Sequence, residues 1–225
     1  MVTIPQLVER LIRSKPYLEE ALADGLVNIS SLARKLQPIV SDAQGKEVSS
    51  GAIVMAINRM DASVNYKIRN RMNKVIGNLG DIIVRSDLSN YTFENSNTLI
   101  KCQLALLEEI ADKKDVFHTF SQGVYETNLV LSNIVTTAMQ EIFEKEHMLS
   151  SIRNLSSITI KLPQDNTELP GLYYYIFKKI AWEGINIVEV ISTTNEFTIV
   201  VEDSNVERAF GILKNLKQAY NSSLI

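Results

Sequence analysis

Cysteine is nearly missing from this chain: Cys102 stands alone among 225 residues. No intrachain disulfide can form, which fits a reducing compartment. No apolar run approaches the roughly 20 residues that cross a bilayer. The first residues lack the hydrophobic segment of a signal peptide. A cytoplasmic protein without membrane contact is therefore expected. Histidine is scarce, at two residues. His118 falls in a strand pattern and reads as a core or edge residue. His147 follows Glu144 by three positions on a helix, which offers two metal ligands and no third. Glycine-rich phosphate loops of the Walker or Rossmann type are absent, and Gly77-Asn78-Leu79-Gly80 reads as a linker. No catalytic constellation, metal or cofactor is called for, so a non-enzyme is expected.

What is present describes a folded globular chain. Hydrophobic residues make up 45% and charged residues 22%, which excludes disorder. The length allows two or three small domains. Net charge is −3, unevenly spread: residues 1–80 hold 11 Lys/Arg against 7 Asp/Glu. A basic front and an acidic back suggest two functional parts.

Residues 1–78 read as a helical domain. Leu7, Leu11 and Ile12 line a first helix that Pro16 closes. Tyr17–Asp24 forms a second, ended by Gly25. Val27-Asn28-Ile29 reads as extended. Ser30 or Ser31 caps a third helix, which Pro38 limits. Ser49-Ser50 caps a long amphipathic run through Ile53, Ala56, Ile57 and Met60, continuing toward Ile76. The order resembles a winged-helix or helix-turn-helix module. That resemblance implies base contacts by Asn58 and Arg59 and phosphate contacts by Lys67, Arg69, Arg71 and Lys74. A sequence pI near 5.5 argues against strong DNA affinity.

After Gly80 the hydrophobic period shifts toward two. Asp81–Arg85 and Tyr91–Glu94 read as extended and Leu99–Ala111 as a helix. Val116–Phe120 and Val124–Leu131 form a hairpin turned at Ser121-Gln122-Gly123. Ile134, Ala138 and Ile142 mark the inner face of a second helix. Residues 155–225 repeat this order more clearly. Ile158, Ile160 and Leu162 alternate as a strand, and Leu172, Ile176 and Ile180 stripe a helix. Ile187–Ser192 and Phe197–Val201 form a hairpin turned at Thr193-Thr194-Asn195. Val206, Ala209, Phe210 and Leu213 line a last helix. Matching elements recur about 71–74 residues apart, a repeat signal. The expected class is α+β: a helical domain at 1–78 and two ferredoxin-like βαββα units at 81–147 and 155–225.

Two motifs carry a resemblance. Glu168-Leu169-Pro170-Gly171-Leu172 is similar to the acidic-x-Pro-Gly-aliphatic turn of the ACT domain family. Glu183-Gly184-Ile185-Asn186-Ile187 is similar to that family's entry into its second strand. The match covers about 60 residues well and 60 more weakly, and the chain resembles the regulatory part of aspartate kinases, which carries tandem ACT units. Glu168 stands where the family more often has Asp, and Tyr173-Tyr174-Tyr175 replaces smaller residues.

The resemblance implies a regulatory module that binds a small molecule, an amino acid, at Glu168, Leu169, Pro170, Gly171, Leu172, Asn186 and Ile187. Physical chemistry agrees: Pro170 suits a first helical turn, and the free N–H groups of a helix start favour a carboxylate. The sheet face not covered by helices is expected to pair with another such unit, within the chain or in a homodimer. Two other readings stay open. One is a ligand-free interaction module, such as a detached regulatory subunit with an amino-acid biosynthetic enzyme as partner. The other is a DNA-binding regulator. A kinase catalytic domain would need roughly 200 more residues.

Overall fold

A computed structural model describes residues 2–60, 76–164, 166 and 171–222, with side chains in the last helix to 217. The chain divides into two compact units, Met1–Arg71 and Met72–Ile225.

The first unit contains α1 (Ile4–Arg13), α2 (Pro16–Ala23), α3 (Ile29–Gln44) and α4 (Ser50–Asn58). Thr3 and Gln6 form a reciprocal capping box at α1, satisfying N–H groups that the helix leaves unpaired. Buried Val8, Ile12, Leu36, Val40, Ile53 and Ile57 join in its core. Several expectations are corrected. Pro16 opens α2 rather than closing α1. Asn28 caps α3 through its Oδ1, which accepts from the Ser31 N–H at 2.9 Å; neither Ser30 nor Ser31 does so. Pro38 lies inside α3, which runs to a left-handed Gly45. Ser49 caps α4 as expected, yet α4 stops at Asn58. The continuation toward Ile76 falls largely outside the described residues. All regular structure described in this unit is helical.

The second unit is α+β. Its strands are β1 (Ile82–Glu94), β2 (His118–Gln122), β3 (Glu126–Ser132), β4 (Met148–Lys161), β5 (Glu189–Ser192) and β6 (Glu196–Glu202). The helices are α5 (Leu99–Ile110), α6 (Thr136–Ile142), α7 (Leu172–Trp182) and α8 (Val206–Ser222). All six strands join one antiparallel sheet in the order β2-β3-β1-β4-β6-β5. β1 is one continuous strand where two short ones were expected. The hairpin turns at Gly123-Val124-Tyr125, two residues later than expected.

Register shows how the halves interlock. Leu88–Glu94 of β1 pairs with β3, and Leu155–Lys161 of β4 pairs with β6. Between themselves β1 and β4 pair along almost their whole length, from Ile82↔Ile160 to Phe93↔Met148. The start of β4 thus completes the sheet of the first half, and the start of β1 completes that of the second. Each half has four strands, and the first is inserted into the second. Irregular pairing near the middle lets both strands bend, and Asp87 (φ 61°) and Asn154 (φ 56°) take left-handed backbone there. Asp and Asn tolerate that region better than most residues.

Helices cover one face of the sheet. Ile158, Ile160, Leu172, Ile176 and Ile180 are buried together beneath α7 and α8, as the alternation and stripe predicted. Burying each such side chain contributes about 1.5–3 kcal/mol. Tyr91, Phe93, Leu129 and Leu131 pack under α5 and α6. On α6 the buried face is Val135, Met139 and Phe143, whereas Ile134 is 80% exposed. Of the expected inner face Ile134, Ala138 and Ile142, Ile142 packs partly buried against this core, whereas Ile134 falls in a 3-10 turn at Asn133–Val135 ahead of the helix.

The opposite face curls onto itself. Leu88, Val130, Leu155 and Val200 are fully buried there, with Phe117, Val188 and Ile191 packed against them. Asn128 on β3 donates through Nδ2 to Glu189 Oε2 on β5 at 2.9 Å. Those strands are four places apart, which a flat sheet would hold about 19 Å apart. This face therefore fills its own concavity, and the two halves meet edge to edge through β1 and β4.

Candidate functional site

The expected site centres on the start of α7. Gly171 is the cap residue at φ 97° and ψ −3°, with no side-chain hydrogen bond to the helix start. Only glycine adopts that backbone readily. Its carbonyl accepts from the Tyr175 N–H at 3.0 Å, and Leu172 is buried below. Unpaired N–H groups of a first turn, together with the helix dipole, favour an anion. Glu168, Leu169 and Pro170 lie outside the described residues.

The three tyrosines divide their work. Tyr173 stacks on Phe197 with ring centres 4.9 Å apart, and its hydroxyl hydrogen-bonds Ser192 Oγ at 2.7 Å. It thereby ties the first turn of α7 to the β5–β6 hairpin. Lys178 and Lys179 lie over the rings of Tyr174 and Tyr175, at 5.7 and 5.8 Å. Asn166 donates through Nδ2 to the Pro163 and Thr194 carbonyls at 2.7 and 2.8 Å, fastening the preceding loop to the hairpin turn.

Asn186 and Ile187 are not part of this place. They follow the C-terminal end of α7, with Asn186 exposed and Ile187 half-buried. An 11-residue helix separates its two ends by about 16 Å. The structure brings Gly171 and Leu172 together and leaves Asn186 and Ile187 at the far end.

The corresponding helix start in the first half is already furnished. Ser96 Oγ accepts from the N–H groups of Thr98 and Leu99 at 3.2 and 3.0 Å. The Ser96 hydroxyl donates to Glu146 Oε2 at 2.6 Å, and the Thr98 hydroxyl donates to Glu146 Oε1 at 2.7 Å. Cys102 Sγ lies 3.5 Å from Glu146 Oε1. These hydroxyl hydrogen bonds, Ser96 first, hold the Glu146 carboxyl below its ordinary value. Burial, then the bond to Glu146 and its charge, pushes the Cys102 thiol up, so the unreactive packing role expected of Cys102 fits its surroundings. Beside it, His147 Nδ1 meets Glu94 Oε2 at 2.8 Å. Sequence reading missed Glu146, whose partners are 44 to 50 residues away.

A cleft of about 490 Å³ opens at the other end of the first half, lined by Ser86, Asp87, Lys113, Asp115, Ser132 and Ile134. Lys113 pairs with Glu109 at 2.6 Å, and Asp87 accepts from Asn133 Nδ2 at 2.7 Å. Its charges are thus partly committed, and the sequence carried no signal for it.

In the helical unit, Asn58 and Arg59 are exposed at the C-terminal end of α4. A helix of this kind reads bases with its N-terminal residues, and its carbonyl end disfavours phosphate. Lys67, Arg69, Arg71 and Lys74 lie outside the described residues. Among the described residues no helix is long and apolar enough to cross a membrane, and no cluster of three metal-ligating side chains occurs.

No family model matches the chain, and no curated protein matches it either. Solved structures do. A chain of the aspartokinase alpha and beta subunits is 11% identical with a TM-score of 0.51, covering 61% of this chain and 97% of that one. The ligand-free regulatory subunit of aspartate kinase from Thermus thermophilus is 13% identical with a TM-score of 0.50, covering 61% of this chain and 98% of that one. The chain carries tandem ACT-like units similar in fold to the regulatory parts of aspartate kinases.

Proposed function

We propose that this chain is a non-catalytic regulatory protein whose ACT-like units bind a small carboxylate, an amino acid, at the start of α7. The observation that carries this reading is the α7 start itself. It has a left-handed Gly171, which offers no side chain of its own as a cap, within a fold shared with a regulatory subunit. Helix-start N–H groups would take the carboxylate. The helical unit and the two ACT-like units would act as three domains in a cytoplasmic protein, near the expected 1–78, 81–147 and 155–225 but with Ile82–Arg85 paired into the second ACT-like unit and Met148–Ile152 into the first. Ligand binding would shift the arrangement of the units by differential affinity, and a homodimer would transmit that shift.

A second reading has one observation in its favour. The match extends over nearly the whole of a chain that is itself a separate regulatory subunit. In that reading the protein is a detached subunit that binds an aspartate-kinase-like enzyme. DNA binding gains nothing from α4 and is left aside.

Thermal melting against a panel of the common amino acids tests the first reading. A ligand at a hundred times its Kd raises stability by about 2.7 kcal/mol. One responding amino acid, with the response lost in Gly171→Val, supports the site. Val cannot easily take φ 97°, so that variant will also melt lower. A flat response across the panel removes the ligand-binding reading, and recovery of a bound biosynthetic enzyme would then favour the second.

A further inference from the structure

We propose that Glu146 is a built-in occupant of the first half's helix start. It closes that half to small carboxylates and confines any ligand response to the second half. The first statement stands on geometry alone, and the second rests on the function proposed above.

Backbone pairing aligns the two halves without appeal to side-chain similarity. At the end of β1, the Glu94 N–H donates to the His147 carbonyl at 3.0 Å. At the end of β4, the Lys161 N–H donates to the Asp81 carbonyl, also at 3.0 Å. His147 and Asp81 therefore occupy the same rung. One residue earlier stand Glu146 in the first half and Gly80 in the second. The same place in the fold has a carboxylate side chain in one half and none in the other.

Each member suits its surroundings. The Glu146 carboxylate receives the Ser96 and Thr98 hydroxyls at 2.6 and 2.7 Å, beside the first N–H groups of α5. Ser96 relays those N–H groups by accepting from Thr98 and Leu99. The Glu146 carboxylate thus meets the start of α5 through two hydroxyls, at the place where a ligand's carboxylate would meet the start of α7. Gly80 is held against β4 by its N–H bond to the Lys161 carbonyl at 2.8 Å. A Cβ there would lie 2.8 Å from Lys161 Cβ, closer than real contacts allow. A side chain at this position would have to displace Lys161, and Gly171, the cap residue of α7, has no side chain of its own to offer. An internal partner also has no translational entropy to lose, so a free carboxylate at ordinary concentration does not displace it.

The test is to remove the occupant and offer its chemistry back. Glu146→Ala deletes the carboxylate with its stem, leaving room for acetate. Glu146→Gln keeps the volume filled. Melting temperatures are recorded for the natural chain and both variants against sodium acetate, with sodium chloride at matched ionic strength. The Ala variant should melt lower and recover about 2–4 °C in saturable fashion as acetate rises toward ~100 mM, while the other two proteins respond no more to acetate than to chloride. Equal acetate responses in all three, or none in Glu146→Ala, would overturn the proposal. Should the Ala variant not fold, Glu146→Gln decides by alkylation of the single cysteine. Loss of the neighbouring charge speeds reaction of Cys102 several-fold at pH 8 if the contact exists, and an unchanged rate counts against it. Acetate rescue without any amino-acid response in the natural chain would sustain the occupant and remove the ligand-binding reading. An amino-acid response without rescue would do the reverse.

Discussion

Leu88 and Leu155 face each other across β1 and β4, one residue after left-handed Asp87 and Asn154, and both are fully buried. They mark the point where the two halves of the sheet exchange strands. Leu155→Ala should destabilise the protein by about 2–5 kcal/mol, because deletion there opens a cavity between the halves. Ile134→Ser, in the exposed 3-10 turn ahead of α6, should stay within about 0.5 kcal/mol of the natural chain. Urea unfolding of both variants checks the pair. A large loss at Ile134 would mean that this turn is buried instead.

Asn154 has φ 56° and lies in the middle of a long strand. Replacing it with Val puts a β-branched residue into a left-handed backbone. A loss of about 1–2 kcal/mol is expected, and Asn154→Gly should be near neutral. Equal stability of the Val and Gly variants would show that the strand does not bend there.

The curl of the sheet brings Asn128 on β3 to Glu189 on β5. A double-mutant cycle with both residues changed to Ala should give a coupling of about 0.5–2 kcal/mol. Independent effects would place β3 and β5 apart.

Gly80 lets the backbone approach Lys161. Gly80→Ala should cost about 1–3 kcal/mol, the range for overpacking a tight contact. A neutral result by thermal melting would show that the rung has slack.

Glu146 carries a pH signature. Its carboxyl is lowered from an ordinary value of 4.5, mainly by the Ser96 and Thr98 hydroxyls. The ionised form is thus favoured by folding, so its contribution is complete above pH 4.5 and fades as pH falls through the lowered value. Melting curves of the natural chain and Glu146→Gln should differ most near neutral pH and converge in acid. A gap that stays constant with pH would show that ionisation is not involved.

Much of the fold was legible because burial leaves a local period. Leu172, Ile176 and Ile180 announce a helix, and Ile158 and Ile160 announce a strand, from their own spacing. Pro38 misled, since its missing N–H affects one hydrogen bond while buried Leu36 and Val40 on either side hold α3 in place. Ile134 misled because it lies in a 3-10 turn ahead of the helix, a boundary that hydrophobicity alone does not reveal. At the candidate site the sequence signalled the turn at Gly171 and the buried Leu172, while Glu168, Leu169 and Pro170 lie outside the described residues. Asn186 was assigned to it by motif, although a whole helix intervenes. Glu146 could have been found only by aligning strand rungs, and register is set by contacts far apart in sequence.

The sheet is nested like a bracketed clause. Ile82–Arg85 belongs with residues that are synthesised some 75 positions later, and everything between them forms a complete inner phrase. A gene fragment cut between the two repeats would release one piece with a surplus strand and another with an unsealed flank. The inner piece, residues 88–152, is the only segment of this region whose sheet closes using its own strands, and it is the natural length at which to ask whether half of the protein can stand by itself.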